Sequence, residues 1–86
     1  MPLGAPFWTA IVASERSYQD AQSVAQQVRF YGREVDILYS SDYSSLNLGY
    51  FVVYSGRFAN RADALGQVKI LKNLGFANTY DRWVAP

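Results

Sequence analysis

The chain has 86 residues, half of them hydrophobic, with eight Lys and Arg against seven Asp and Glu, and it contains neither cysteine nor histidine. That length makes one domain with a thin core. The missing residue types exclude a disulfide framework, a thiolate metal site and a thiol nucleophile, and remove the commonest general base and metal ligand.

Residues 1–6, MPLGAP, carry two prolines and a glycine and read as the end of a linker behind a start methionine, as though the domain continued from a longer protein. FWTAIVA, from Phe7, is rich in aromatic and β-branched residues and predicts a strand. Ser17 with Asp20 three residues on predicts a helix start: a cap oxygen accepts from a free backbone N–H, and the aspartate sits where the helix dipole favours negative charge. Ala21, Val24, Ala25, Val28 and Tyr31 then recur at helical spacing, and Gly32 stands where a left-handed residue would end the helix. REVDILY alternates Val35, Ile37 and Tyr39 against Glu34, Asp36 and Leu38, the pattern of a half-buried strand.

SSDYSSLNLG, from Ser40 to Gly49, is a long connection for a hairpin. Two readings stand for it: a contact loop with Tyr43 set among polar residues, or a wide turn whose Leu46 and Leu48 plug an end of the core. YFVVYSGRF, from Tyr50 to Phe58, predicts a third strand that stops at Gly56. Asn60 with Asp63 then repeats the cap. Ala64, Val68, Leu71 and Leu74 repeat the stripe, and Gly75 repeats the stop. FANTYDRWV closes the chain as a polar edge strand, in which Trp83 either caps the end of the core or forms an interaction hot spot.

The second half overlays the first at a shift of 43 residues without a gap: Phe7 on Tyr50, Ala13 on Gly56, Ser17 on Asn60, Asp20 on Asp63, Gly32 on Gly75. Two β-α-β units, residues 7–41 and 50–84, make an α+β domain in the order β-α-β-β-α-β, the split βαβ or ferredoxin-like arrangement. It has a four-stranded antiparallel sheet with two helices on one face and its first and third strands central. The other face is expected to be open. Tyr50, Val52 and Tyr54 alternate with Phe51, Val53 and Ser55 along the third strand, and both sets contain apolar residues. One set meets the helices. The other either covers the sheet with cross-strand neighbours such as Thr9 and Ile11 or forms an aromatic platform of the kind that marks an interaction site.

GRF, Gly56 to Phe58, followed by NRADA, Asn60 to Ala64, within this twofold order of aromatic strand, Asp-Ala helix start and terminal glycine, resembles the SPOR (sporulation-related repeat) domain across Phe7 to Val84. The resemblance implies a peptidoglycan-binding module of the bacterial cell envelope that recognises glycan strands stripped of stem peptides and directs its parent protein to division septa. It also implies a glycan groove on the open sheet face. Carried over by position, the candidate ligand-binding residues are Thr9, Ile11, Ser14, Tyr43, Tyr50, Val52, Tyr54 and Arg57. Ile11 and Tyr54 stand where family strands often carry glutamine, and Ala13 and Glu15 replace the first-half Gly and Phe.

No cofactor or metal is implied, and no catalytic constellation is visible. The longest apolar run, about seven residues, falls far below the ~20 that span a bilayer, so direct membrane insertion is not expected. A net charge of +1 with basic residues scattered from Arg16 to Arg82 argues against nucleic acid, although exposed sheet aromatics are also how RRM domains stack bases. The alternative to a glycan partner is a protein partner or a second copy of the chain, taken up by the sheet face or the last strand.

Overall fold

A computed structural model describes residues 6–86, so the expected linker lies, but for Pro6, outside the described residues. The elements run β1 (Phe7–Glu15), α1 (Tyr18–Phe30), β2 (Asp36–Tyr39), a 3-10 turn (Ser40–Asp42), β3 (Phe51–Phe58), α2 (Arg61–Asn73) and β4 (Tyr80–Val84). They form one antiparallel sheet in the order β2-β3-β1-β4, with the first and third strands central as expected.

Each helix is delimited by the chemistry visible in its sequence. The Ser17 hydroxyl accepts from the Asp20 N–H at 3.1 Å, and the Asn60 carboxamide oxygen accepts from the Asp63 N–H at 2.9 Å, both from extended cap residues. At the other end Gly32 (φ 74°) and Gly75 (φ 108°) turn the chain out of the helix. Arg33 N–H then reaches Val28 C=O while Gly32 N–H reaches Arg29 C=O. Phe76 to Leu71 and Gly75 to Lys72 repeat the same pair of bonds in α2, a Schellman closure at both helices.

One core lies between sheet and helices. Ala10, Val12 and Val53 from the central strands meet Ala21, Ala25 and Val28 of α1 and Val68 and Leu71 of α2. Full burial of Val28, Val53 or Leu71 contributes about 1.5–3 kcal/mol each. A short polar chain runs through this layer. Arg33 Nη2 donates to Gln67 Oε1 at 2.7 Å, Gln67 Nε2 donates to Ser55 Oγ at 2.7 Å, and the Ser55 hydroxyl donates to the Glu34 carbonyl.

A second core occupies the opposite sheet face. Phe7, Ile11, Leu38, Val52, Tyr54 and Val84 pack there beneath Tyr43, with Leu46 and Tyr50 at the margin. The expected open face is therefore closed over part of its area, because the Ser40–Gly49 connection folds back across it. Hydrogen bonds hold the connection down. Ser45 Oγ donates to Trp83 C=O and accepts from Ala85 N–H, both at 2.9 Å, and the Ser44 hydroxyl donates to Pro86 C=O.

Four strand limits differ from expectation: β1 runs on past Ala13 to Glu15, β2 begins only at Asp36, and β3 and β4 depart as follows. β3 runs through Gly56 to Phe58 instead of stopping there. Gly56 takes φ 84° at an irregularity in the register with β1, and a side chain there would press on the Phe58 ring, so the glycine is a bulge and not a terminus. β4 begins only at Tyr80, because Thr79 N–H and Oγ1 both turn back to Phe76 C=O, at 3.2 and 2.8 Å.

Candidate functional site

On the face away from the helices the alternation of β1, β3 and β4 aligns Ile11, Val52, Tyr80 and Arg82, with Tyr80 paired to Ile11 and Arg82 to Thr9 across the β1–β4 ladder. Toward Phe7 and Val84 this face is capped by Tyr43. Toward Ser14 and Tyr50 it is left open. A groove of about 290 Å³ results, floored by Ile11 and Val52, walled by Leu46, Tyr50 and Tyr80, and rimmed by Ser14, Ser40, Asn47 and Arg82.

The walls are held in place. Ser40 and Tyr50 form a two-residue clasp: Ser40 N–H donates to Tyr50 C=O and Tyr50 N–H to Ser40 Oγ, both at 2.8 Å. The Arg16 guanidinium donates to the Tyr50 hydroxyl at 3.1 Å and lies 4.5 Å from its ring centroid. The Arg82 guanidinium donates to the Ser45 carbonyl, tying the last strand to the loop. Such contacts fix an aromatic wall in one rotamer before a ligand arrives, which lowers the ordering cost of binding.

Of the eight residues named from the sequence, the structure brings Ile11, Ser14, Tyr50 and Val52 together in this groove. Thr9, Tyr43, Tyr54 and Arg57 gather instead at the covered end. Thr9 is fully buried and its hydroxyl donates to Gly56 C=O at 2.6 Å. Tyr54 is 4 % exposed and Tyr43 7 %. Arg57 donates to the Tyr54 hydroxyl at 2.8 Å. Burial pushes the Tyr54 phenol above its ordinary range, and the neighbouring guanidinium only partly opposes the shift. The Tyr43 phenol is also pushed up, first by burial and then by the nearby Tyr54. Both remain neutral hydroxyls across the physiological range.

The sequence reading missed Ser40, Leu46, Asn47, Tyr80 and Arg82 as members of the groove. Tyr80 and Arg82 carry a usable signal, since residues two apart in a strand share a face. Which face they share depends on the register with β1. Asn47 carries no such signal.

The groove lining contains no carboxylate. It combines apolar carbon, aromatic faces, hydroxyls, one carboxamide and one guanidinium. This combination suits a hydroxyl-rich ligand. Among the described residues no helix is long and apolar enough to cross a membrane.

No curated protein and no solved structure matches the chain significantly. The family model of the SPOR domain matches residues 4–80, nearly the whole length. With that match and its β-α-β-β-α-β sheet, the chain belongs to the SPOR family of peptidoglycan-binding domains.

Proposed function

We propose that the chain is a non-catalytic module that holds a peptidoglycan glycan strand in the groove beside residues 40–49, and that it directs a larger envelope protein to the cell wall. The observation that carries this reading is the composition of the groove. Tyr50 and Tyr80 offer ring faces to the C–H faces of sugar rings, and Ser14, Asn47 and Arg82 stand around them as hydroxyl, amide and guanidinium partners. Family membership supports the class of ligand, and residues of both β-α-β units contribute to one site. A groove of about 290 Å³ lies at the small end for a ligand pocket, so affinity for one disaccharide is weak and useful binding comes from a strand.

The septal bias and the preference for strands stripped of stem peptides follow from family resemblance. The periplasmic or outer-surface location of the parent protein follows from the ligand. Co-sedimentation with purified sacculi, before and after amidase treatment and at low and high salt, tests the reading. Salt-resistant binding that rises on stripping is the expected result. Absence of binding in every condition overturns it. Binding that collapses with salt overturns the stacking basis of the reading, because charge would then carry it.

A further inference from the structure

Both tryptophans of the chain, Trp8 and Trp83, lie side by side across the β1–β4 pair, their ring centroids 5.4 Å apart. They stand at the sheet edge on the helix side, whereas the groove opens on the other side. Arg61 at the start of α2 reaches over Trp8, 5.7 Å from its ring centroid, and its Nε donates to Asp81 Oδ2 at 2.7 Å. Trp83 keeps 38 % of its surface in solvent. A tryptophan on an edge strand that leaves over a third of its surface in solvent contributes less to a small domain than a buried one would. It does offer an indole face.

These residues line a shallow depression of about 440 Å³, to which Ser45 and Arg82 also contribute. Arg82 lines the glycan groove as well. The two depressions therefore adjoin at β4, with Arg82 as their shared wall.

We infer that this depression is a second saccharide subsite, in which a further sugar unit of the same glycan strand stacks on Trp83 while the Arg61–Asp81 pair supplies donors and acceptors to its hydroxyls. The inference rests on the glycan reading of the groove. The chemistry is what a sugar requires. An aromatic face takes the C–H side of the ring, and beside it stand a fixed carboxylate and a planar guanidinium whose mutual contact leaves further lone pairs and N–H groups to use. An apolar peptide would leave the Arg61–Asp81 pair buried and short of partners. A strand that leaves the groove past Tyr80 and Arg82 has this surface as its next support.

Because the chain has no other tryptophan, emission excited selectively from indole reports this depression and not the tyrosine-walled groove. The experiment titrates the chain with a single disaccharide unit and, separately, with long amidase-stripped glycan strands. Binding is followed by calorimetry and by tryptophan emission with acrylamide quenching. Long strands are expected to shift the emission and protect it from acrylamide, whereas the disaccharide binds without either effect. Trp83→Ala is expected to weaken long-strand binding roughly tenfold, as for loss of one well-stacked aromatic anchor, with Trp83→Phe restoring most of it and disaccharide binding unchanged. Long strands that bind the unaltered chain with no change in emission or quenching overturn the subsite and leave the groove standing. The same holds if the disaccharide alone perturbs the tryptophans as strongly as a strand does. Failure of both ligands to bind overturns the groove reading itself, and the subsite with it.

Discussion

The Arg57 guanidinium donates to the Tyr54 hydroxyl at 2.8 Å and lies over the Phe7 ring, 5.5 Å from its centroid, so it closes the outer end of the second core. Tyr54 is thus a core residue on the face opposite the helices. We predict that Tyr54→Ala destabilises the domain by about 3–5 kcal/mol, as for a large buried aromatic, because Phe7, Tyr43 and Val84 lose their common neighbour. Tyr54→Phe keeps the ring and loses one hydrogen bond to a charged partner that reaches solvent, a cost of about 1 kcal/mol. Urea unfolding of both variants checks the ordering. Equal losses would mean that the hydroxyl and not the ring carries the stability.

Burial raises the phenols of Tyr43 and Tyr54 above the ordinary tyrosine value of 10.0, so the folded state favours their protonated forms. The associated stability is fully present below pH 10. Above it the unfolded chain releases protons that the folded chain retains, and stability falls as pH rises toward the folded-state values. Tyr43→Phe removes one of the two groups, so the alkaline fall is expected to be shallower in this variant. Urea midpoints measured from about pH 8 to 11 test it. Curves of equal steepness would show that Tyr43 titrates alike in both states.

Tyr80 and Asn47 bound the open end of the second face without entering either core. Tyr80→Ala is predicted to weaken glycan binding roughly tenfold, and Asn47→Ala by a smaller factor, with stability changed by no more than about 1 kcal/mol in each case. The contrast with Tyr54 is the useful part. On this side of the sheet Tyr54 is expected to hold the fold, and Tyr80 and Asn47 to hold the ligand. Sacculus co-sedimentation beside thermal unfolding reads both quantities, and a loss of stability matching the loss of binding would remove Tyr80 from the site.

Periodicity and capping made the fold legible before any coordinates. α1 begins at residue 18 and α2 at residue 61, each one residue after a cap read directly from Ser17 or Asn60, and Gly32 and Gly75 close both. The faces of β3 were less legible, because Tyr50, Val52 and Tyr54 are as apolar as the set that meets the helices. Their burial was not legible at all. Whether Tyr54 is platform or core is decided by where the ten-residue connection from Ser40 to Gly49 lies. That in turn depends on Ser44 and Ser45 finding carbonyls about 40 residues downstream. Composition cannot encode such contacts. Arg82 was hidden for a related reason: a polar strand carries no hydrophobic pattern from which its register with β1 could be inferred.

The buried chain from Arg33 through Gln67 to Ser55 gives the last prediction. Gln67 is 7 % exposed and Ser55 fully buried, and the amide satisfies one partner with each of its ends. Arg33 Nε already lies buried without a partner, so this guanidinium depends on Gln67 for its Nη2 contact. Gln67→Ala removes both bonds at once and takes this acceptor from the half-buried Arg33 guanidinium, whose Nε is already unpartnered. The expected loss is about 2–3 kcal/mol, the cost of orphaning buried polar groups rather than of two ordinary hydrogen bonds. The double variant Arg33→Leu with Gln67→Leu removes the charge and the amide together, so it should recover a good part of that loss and leave Ser55 its bond to Glu34. Urea unfolding of the single and double variants decides the matter. A double variant no more stable than Gln67→Ala would show that side-chain packing, and not desolvation of Arg33, sets the value of this position.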